Sequence, residues 1–211
     1  MQEQVDILIV GAGPTGLALA LELAKHGASF RIVEKELERD STSRALVIQP
    51  RTQELLNRHT NFREEVLARS STVRGVRWHL SKTRHAHVDF TKTGLVDTSF
   101  PSIINLSQVE TERFLESSLG RVTAPGGGRY MVERGLAATA IVQDPDGVTV
   151  TLSRTSKAGE GGNGKNPAEQ TVRCKYVVGC DGSHSAVRKA ATSIRYEGGT
   201  YQHDFILCDA T

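Results

Sequence analysis

The hydrophobic pattern near the start of the chain predicts a strand, a helix and a second strand. Val5 to Val10 form an apolar run rich in β-branched residues, with the length of a buried strand. Leu17 to Ala24 continue a helix that Gly27 ends, because glycine readily adopts the left-handed conformation just past a helix C-terminus. Ser29 to Glu34 form the second strand. This order predicts a βαβ unit and therefore a parallel sheet.

The remaining chain alternates between helical and strand-like patterns. Ser107 is a good N-cap residue with Glu110 three positions later, which predicts a helix from Ser107 to Leu119. The polar, glycine-rich stretch from Ser156 to Glu169 is expected to be a surface loop. The other predicted elements are helices at Gln49–Asn57 and Phe62–Ser70, hairpin strands at Val73–Leu80 and Ala86–Thr91, and meander strands at about Met131–Gln143, Val148–Arg154 and Gln170–Val178.

Three glycines lie where the first strand turns into the helix. Gly11, Gly13 and Gly16 complete the pattern G-x-G-x-x-G, which allows a tight turn, close approach to a pyrophosphate and close helix packing, respectively. The helix N-terminus directs unpaired N–H groups at the phosphates, and Pro14 suits its first turn. Glu34 ends the second strand, where its carboxylate can accept hydrogen bonds from ribose hydroxyls. The pattern predicts a site for the ADP half of FAD or NAD, and the acidic Glu34 disfavours NADP.

Composition and charge narrow the range of functions. The chain has 211 residues, is 38% hydrophobic and 24% charged, and has a formal net charge of +2. This balance is typical of a globular protein of about one domain, and the scattered arginines do not predict a nucleic-acid partner. Residues 5–24 are mostly apolar but include Asp6 and Glu22, and no basic leader precedes them. We therefore expect neither a signal peptide nor a membrane span, and no membrane partner.

The cysteines and histidines predict no metal site. Cys174, Cys180 and Cys208 are odd in number and lack the spacing of zinc ligands, which favours buried thiols in a reducing compartment. The histidines of segment 79–87 have no carboxylate or cysteine set to complete a coordination shell. These observations lead us to expect a cytoplasmic protein without a bound metal.

A second motif follows the last predicted strand. Residues Tyr176–Arg188 read as a buried strand, a turn containing Asp181-Gly182, and a helix. Together with G-x-G-x-x-G and Ser43-Arg44-Ala45, this segment resembles the aromatic-hydroxylase group of FAD-dependent monooxygenases, the para-hydroxybenzoate hydroxylase and phenol hydroxylase family. The resemblance extends to Pro50–Glu54 and Gln108–Arg113, so its motifs span nearly the whole chain.

The resemblance implies a set of cofactor-binding residues but no catalytic acid or base. In such proteins the Asp-Gly motif contributes to binding of both FAD and the reduced nicotinamide. Residues at the positions of Arg44 and Gln108 commonly contact the ribityl or phosphate portion of the flavin. The cofactor-binding residues predicted from the glycine pattern and the resemblance are Gly11, Gly13, Pro14, Thr15, Gly16, Glu34, Lys35, Arg44, Ala45, Gln108, Asp181, Gly182 and Arg188.

The family also implies a fold and a reaction. NADPH or NADH, as a transient co-substrate, reduces FAD, and the reduced flavin and O2 then hydroxylate an aromatic, phenolic or polyketide-like small molecule. The expected fold class is α/β, with a Rossmann-like FAD-binding domain made of a doubly wound parallel sheet and a β-meander. That domain is expected to comprise residues 1–71 and 107–194. Residues 72–106 and 195–211 are expected to form an incomplete β-rich substrate-binding segment.

The length of the chain keeps three interpretations open. Family members normally continue well beyond this length and carry a second Gly-Asp motif that closes over FAD, so we expect this polypeptide alone to bind FAD weakly and to be a poor hydroxylase. In the first interpretation, the chain is the N-terminal portion of an FAD-dependent monooxygenase. In the second, it is a shortened descendant that performs a cofactor-free isomerisation, cyclisation or dehydration. In the third, it is a non-catalytic subunit completed by a separate C-terminal chain. These interpretations allow two kinds of protein partner, namely a second copy of this chain in a homodimer or a separate C-terminal half.

Overall fold

The computed structural model describes residues 3–39, 46–58, 60–92, 97–155, 169–199 and 201–203. The predictions for Arg44, Ala45 and the surface loop at 156–168 lie outside these residues. The strands are β1 (Glu3–Val10), β2 (Phe30–Glu34), β3 (Val47–Ile48), β4 (Ser71–Thr72), β5 (Gly75–His79), β6 (His85–Asp89), β7 (Ile104–Asn105), β8 (Val132–Arg134), β9 (Leu136–Asp144), β10 (Gly147–Arg154) and β11 (Glu169–Gly179). The helices are α1 (Pro14–Lys25), α2 (Pro50–Asn57), α3 (Phe62–Val66), α4 (Gln108–Leu119) and α5 (Ala186–Ala190), and short 3-10 turns span Leu67–Arg69 and Phe90–Lys92.

A six-stranded sheet organises the fold, with the strand order β8-β2-β1-β11-β10-β9. Strands β8, β2, β1 and β11 run parallel to one another, whereas β10 pairs antiparallel with both β11 and β9. The predicted parallel sheet with a β-meander is therefore confirmed. The first βαβ unit places β1 in the middle of the sheet, which brings the glycine loop at its carboxyl end between the ends of β2 and β11.

Side chains alternate between two buried clusters because successive strand residues point to opposite faces. Ile9 and Ile32 face the helical side, where they pack in one cluster with Leu17 of α1 and Leu115 of α4. On the other face, Leu8, Val10 and Val33 pack against meander residues that include Val150, Leu152 and Val172. The parallel strands are thus covered by helices on one face and by the meander on the other.

The strand predicted at Met131–Gln143 is wrong as a single element. β8 ends at Arg134 and β9 begins at Leu136, and the residue between them, Gly135, has a φ of +72° that favours glycine. These two strands lie at opposite ends of the hydrogen-bonded strand order. Because only one residue separates them, the sheet must curl back on itself, which places the meander over the parallel strands.

The predicted helix boundaries follow their capping signals. At the end of α1, Gly27 N–H donates to Ala24 O and Ala28 N–H to Leu23 O, which is a Schellman motif with Gly27 at a φ of +69°. At the start of α4, Ser107 accepts from the Glu110 N–H as predicted. The helix predicted at Phe62–Ser70 is α-helical only to Val66 and continues as a 3-10 turn.

Two small sheets lie apart from the central one. One has the order β3-β7-β4 and pairs Val47–Ile48 with residues of the 71–106 stretch, and the sequence pattern predicted none of its three short strands. The predicted hairpin is present as β5 and β6, although both strands are shorter than expected. Within the described ranges, no helix is both long and apolar enough to cross a bilayer.

Candidate cofactor site

The first glycine of the loop lies between the carboxyl ends of β2 and β11. Gly11 N–H donates to Val33 O over 2.8 Å, and Cys180 N–H donates to Val10 O over 2.7 Å. Gly11 has a φ of +103°, and a Cβ added there would lie 2.4 Å from the Cys180 carbonyl oxygen. Glycine is therefore required at this position both for its backbone conformation and because the loop after β11 passes against it.

The other two glycines differ in what surrounds them. A Cβ added at Gly16 would lie 1.9 Å from the Gly11 carbonyl oxygen, so Gly16 allows α1 to pack directly on the loop. At Gly13 no described atom lies within 4 Å of an added Cβ. Gly13 is the N-cap of α1, Pro14 opens the helix, and no described side chain caps it. Open space beside unpaired N–H groups at a helix N-terminus fits the pyrophosphate of FAD.

The Glu34 carboxylate connects the end of β2 to the glycine loop. Its Oε2 accepts from the Ala12 N–H over 2.8 Å, and its Oε1 accepts from the Glu36 N–H over 3.0 Å. A carboxylate has about four acceptor positions, so these two bonds leave capacity for ribose hydroxyls. The two backbone bonds orient the carboxylate, and the bond to Ala12 attaches it to the residue that precedes Gly13. Sequence reasoning assigned Glu34 a ligand contact but missed these bonds.

Asp181 organises the turn that follows β11. Its Oδ2 accepts from the N–H of Ala186 over 2.6 Å, at the start of α5, and Ser185 caps the same helix. Its Oδ1 is buried and has no hydrogen-bond partner among the described residues. A buried carboxylate oxygen without a partner is costly, and a hydroxyl of a bound ligand or a water would satisfy it. The next residue, Gly182, is exposed and has a φ of +77°.

Arg188 and Gln108 each form a hydrogen bond within their own segment. The Arg188 guanidinium donates to the Ser183 O over 2.8 Å and lies 4.1 Å from the centre of the Tyr196 ring. Gln108, the first residue of α4, donates from its Nε2 to Glu112 Oε1 over 2.8 Å. Both side chains are half-buried. The structure therefore brings the glycine loop, Glu34 and the Asp181 turn together. Arg188 joins the Asp181 turn through the Ser183 carbonyl, whereas the hydrogen bond from Gln108 to Glu112 lies within α4.

Two of the predicted cofactor-binding residues, Thr15 and Lys35, are exposed. The side chains of Thr15 and Lys35 face solvent, and the Lys35 carbonyl accepts from Thr155 Oγ1 over 2.7 Å.

Cys180 lies next to the glycine loop. Burial raises the pKa of its thiol, so the thiol stays protonated at neutral pH. Sequence reasoning did not place Cys180 at the site, because only the pairing of β1 with β11 brings it there. In the part of the chain that the structure describes, no group of three or more His, Cys, Asp or Glu side chains is arranged to hold a metal ion.

The glycine loop, the oriented Glu34 and the Asp181 turn define a dinucleotide-binding protein of the Rossmann-like class. The chain belongs to the FAD binding domain family, whose sequence profile matches residues 4–209. It is 38% identical over 184 residues to the 12-dehydrotetracycline 5-monooxygenase/anhydrotetracycline 6-monooxygenase of Streptomyces rimosus, covering 87% of this chain and 32% of that protein. This chain thus spans about a third of the length of that relative.

Solved structures show the same relationship. The anhydrotetracycline hydroxylase from Streptomyces rimosus superposes with a TM-score of 0.73 and 35% identity, over 93% of this chain and 35% of the other. A Diels-Alderase of pyrroindomycin biosynthesis superposes with a TM-score of 0.65 and 27% identity, over 90% of this chain and 35% of the other. Proteins with this fold therefore include one named for hydroxylation and one named for a cycloaddition.

Proposed function

We propose that this chain is the FAD-binding portion of an FAD-dependent monooxygenase that hydroxylates an aromatic, phenolic or polyketide-like small molecule with NADPH or NADH and O2. The observation that carries the proposal is the family match over residues 4–209, which includes both the glycine loop and the Asp181 turn. The relative named as a tetracycline monooxygenase supports a polycyclic aromatic substrate class. The free thiols Cys174 and Cys180 favour a cytoplasmic location.

The proposed roles follow from the geometry of each group. The open backbone at Gly13 and the N-terminus of α1 bind the pyrophosphate, while Glu34 accepts the ribose hydroxyls. The Oδ1 of Asp181 accepts a hydroxyl of the cofactor. When bound, FAD supplies the redox chemistry and the reaction with O2. The further residues proposed to contact the cofactor are Gly11, Pro14, Thr15, Gly16, Lys35, Arg44, Ala45, Gln108, Gly182 and Arg188.

The proposal also divides the chain. Residues 1–71 and 107–194 form the cofactor domain, and 72–106 with 195–211 belong to a substrate-binding part that is incomplete here. The exposed side chains of the β5–β6 hairpin support this division, because a two-stranded sheet is only marginally stable without packing against something else. A C-terminal portion of the same protein, a separate chain or a second copy would supply the missing wall of the substrate site.

An absorption spectrum of the purified chain titrated with FAD tests the proposal. We expect a flavin spectrum that shifts on binding, FAD release on denaturation, and weak affinity, because a site that lacks one wall excludes water poorly. We expect NAD(P)H oxidation to be poorly coupled to hydroxylation of added phenols. A chain that is folded by circular dichroism but binds neither FAD nor ADP would contradict the proposal, and tight FAD binding with coupled O2 use would contradict its claim of incompleteness.

A second candidate function is a cofactor-free cyclisation. The Diels-Alderase relative favours it, because that protein's name describes bond formation without a net redox change. The distinguishing measurement is turnover of a polyene or polyketide substrate in apoprotein stripped of flavin and supplied with no nicotinamide. Turnover in the apoprotein would favour this candidate, whereas a strict requirement for FAD and NAD(P)H would exclude it.

A further inference from the structure

The segment that follows Glu34 is attached to the rest of the protein at several points. The Lys35 carbonyl accepts from Thr155 Oγ1 over 2.7 Å, and the Glu36 carbonyl accepts from the Gly135 N–H over 3.4 Å. The far end of the segment is held by Arg39, whose guanidinium pairs with the Glu116 carboxylate of α4. These attachments fix the backbone that carries the Glu36 N–H, one of the two donors that orient Glu34.

Glu116 receives a second guanidinium as well. Arg134, at the end of β8, donates from Nη2 to the same Oε2 atom over 2.7 Å. The side chains of Arg39, Glu116 and Arg134 are 28%, 26% and 20% exposed, so the three charges are largely shielded from water. Removing the carboxylate would leave two partly buried guanidinium groups without the counter-charge that they share among the described residues, and such a loss costs more than the breaking of an exposed ion pair.

The position of this cluster relates it to the cofactor site. Arg134 is the direct strand partner of Glu34 in the pairing of β2 with β8. Glu116 therefore joins three elements around Glu34, namely the end of β8, helix α4 and the segment that ends at Arg39. The Glu34 carboxylate accepts from the Ala12 N–H on one side and, on the other, from the Glu36 N–H of the segment that Arg39 attaches to Glu116.

We infer that Glu116 is a positioning residue for Glu34, and that it strengthens recognition of the ribose hydroxyls of an adenine dinucleotide without touching the ligand. The inference rests on the proposed function, because it assumes that Glu34 accepts those hydroxyls. Without the Glu116 carboxylate, Arg39 no longer holds the segment, the Glu36 N–H leaves Glu34 more often, and the Glu34 carboxylate is less well oriented. A disordered acceptor loses affinity because its ordering must then accompany binding.

A comparison of two ligands isolates this effect. Calorimetry would measure the dissociation constants of ADP and of 2′,3′-dideoxy-ADP for the 211-residue chain and for Glu116→Gln. We expect Glu116→Gln to bind ADP about tenfold more weakly, which corresponds to about 1.4 kcal/mol. It should bind dideoxy-ADP as the unmodified chain does, because that ligand lacks the hydroxyls that Glu34 accepts. General damage to the fold would instead weaken both ligands alike.

Matched variants complete the test. Glu34→Gln should show the same ligand dependence, whereas Glu133→Gln should leave both affinities unchanged. Glu133 precedes Arg134 on β8 and forms its own ion pair with Arg31 at 2.6 Å, so it controls for the loss of a carboxylate on that strand. Hydrogen exchange gives a second readout without ligand: the Glu36 amide should exchange faster in Glu116→Gln and at the original rate in Glu133→Gln. If Glu116→Gln fails to fold, Arg39→Met provides the same two measurements.

The outcomes separate the two proposals. If the unmodified chain binds neither ADP nor FAD, the proposed cofactor site is wrong and the role of Glu116 with it. If the unmodified chain binds ADP more tightly than dideoxy-ADP but Glu116→Gln keeps that preference and an unchanged Glu36 exchange rate, only the role of Glu116 is wrong. Equal weakening of both ligands would show a structural role and would also overturn the inference.

Discussion

The curled central sheet and the β5–β6 hairpin are built from similar strand-forming sequences but differ in burial. In the sheet, Leu8 and Leu152 are 0% exposed, because they pack in one cluster between the parallel strands and the meander. In the hairpin, Trp78 and Val88 are 48% and 41% exposed and lie on the same face, together with Ala86, which pairs with Trp78. The comparison shows that a strand pattern predicts a strand, whereas the energetic weight of its apolar side chains depends on what covers them.

The largest expected effect on the free energy of unfolding comes from truncating one large apolar side chain in each of the two regions. Leu152→Ala should lower the free energy of unfolding by about 3 to 5 kcal/mol, because it leaves a cavity between the meander and the parallel strands. Trp78→Ala should change it by less than about 1 kcal/mol, because the indole is half exposed. Urea titrations followed by circular dichroism would measure both. A larger loss for Trp78→Ala than for Leu152→Ala would break the comparison.

Adding a methyl group within the glycine loop should have the next largest effect. Gly16→Ala should destabilise the protein by about 3 kcal/mol, because its Cβ would overlap the Gly11 carbonyl oxygen and the backbone must shift. Gly13→Ala should cost about 1 kcal/mol or less, because the space there is open and only the N-cap preference is lost. Gly13→Ala should nevertheless weaken ADP binding. Thermal unfolding and ADP calorimetry would measure the two variants, and equal losses of stability would refute the distinction.

Glu34→Gln tests whether the ligand site belongs to the buried central sheet and not to the exposed β5–β6 hairpin. We expect ADP affinity to fall about tenfold, or about 1.4 kcal/mol, because an amide has one acceptor oxygen where the carboxylate has two. Stability should change less than affinity, since the Ala12 N–H can still bond the remaining oxygen. Nuclear magnetic resonance of the β5–β6 amides provides the control, because that hairpin should not respond. A shift there with unchanged ADP affinity would contradict the proposed site.

The smallest expected effect concerns the exposed ion pair between Asp144 and Arg173, at the edge of the central sheet. Hydrogen bonds from Arg173 and from the Asp146 N–H lower the pKa of Asp144 to about 2 from its usual 3.8. Because the folded pKa lies below the unfolded one, the stabilisation is present above about pH 4 and is lost as the pH falls through about 2. In Arg173→Met the pKa of Asp144 should rise toward its usual value. Carboxyl resonances followed during an acid titration would show it.

Arg154→Met, at the other end of β10 from the Asp144–Gly147 pair, serves as the control for this titration. Arg154 is the last residue of β10, the strand that pairs with β11, and its side chain is exposed. The pKa of Asp144 should stay at about 2 in that variant. A midpoint that moves equally in Arg154→Met and Arg173→Met would mean that the general charge of the meander, rather than the Arg173 hydrogen bonds, lowers the pKa of Asp144.

Local signals predicted most of the elements and the family of this protein. The apolar run before Gly11, the Ser107 cap and the Gly27 helix end were sufficient because each depends on residues close in sequence. The pattern at Met131–Gln143 failed for the opposite reason. Apart from Gly135 its residues are compatible with one strand, and a single glycine does not by itself specify a break; the pairing of β8 with β2 and of β9 with β10 requires one there.

The sequence by itself determined the dinucleotide loop, because the spacing of Gly11, Gly13 and Gly16 has meaning only at a strand-to-helix turn. The family resemblance already assigned Asp181 to the same site, but only the tertiary structure decided how these segments meet and which further residues adjoin them. The pairing of β1 with β11 brings Cys180 and Asp181 to the loop, and the pairing of β2 with β8 brings the Arg134–Glu116 cluster to Glu34. These residues are far apart along the chain and carry no local signal of one another, since strand pairing is set by burial of whole faces.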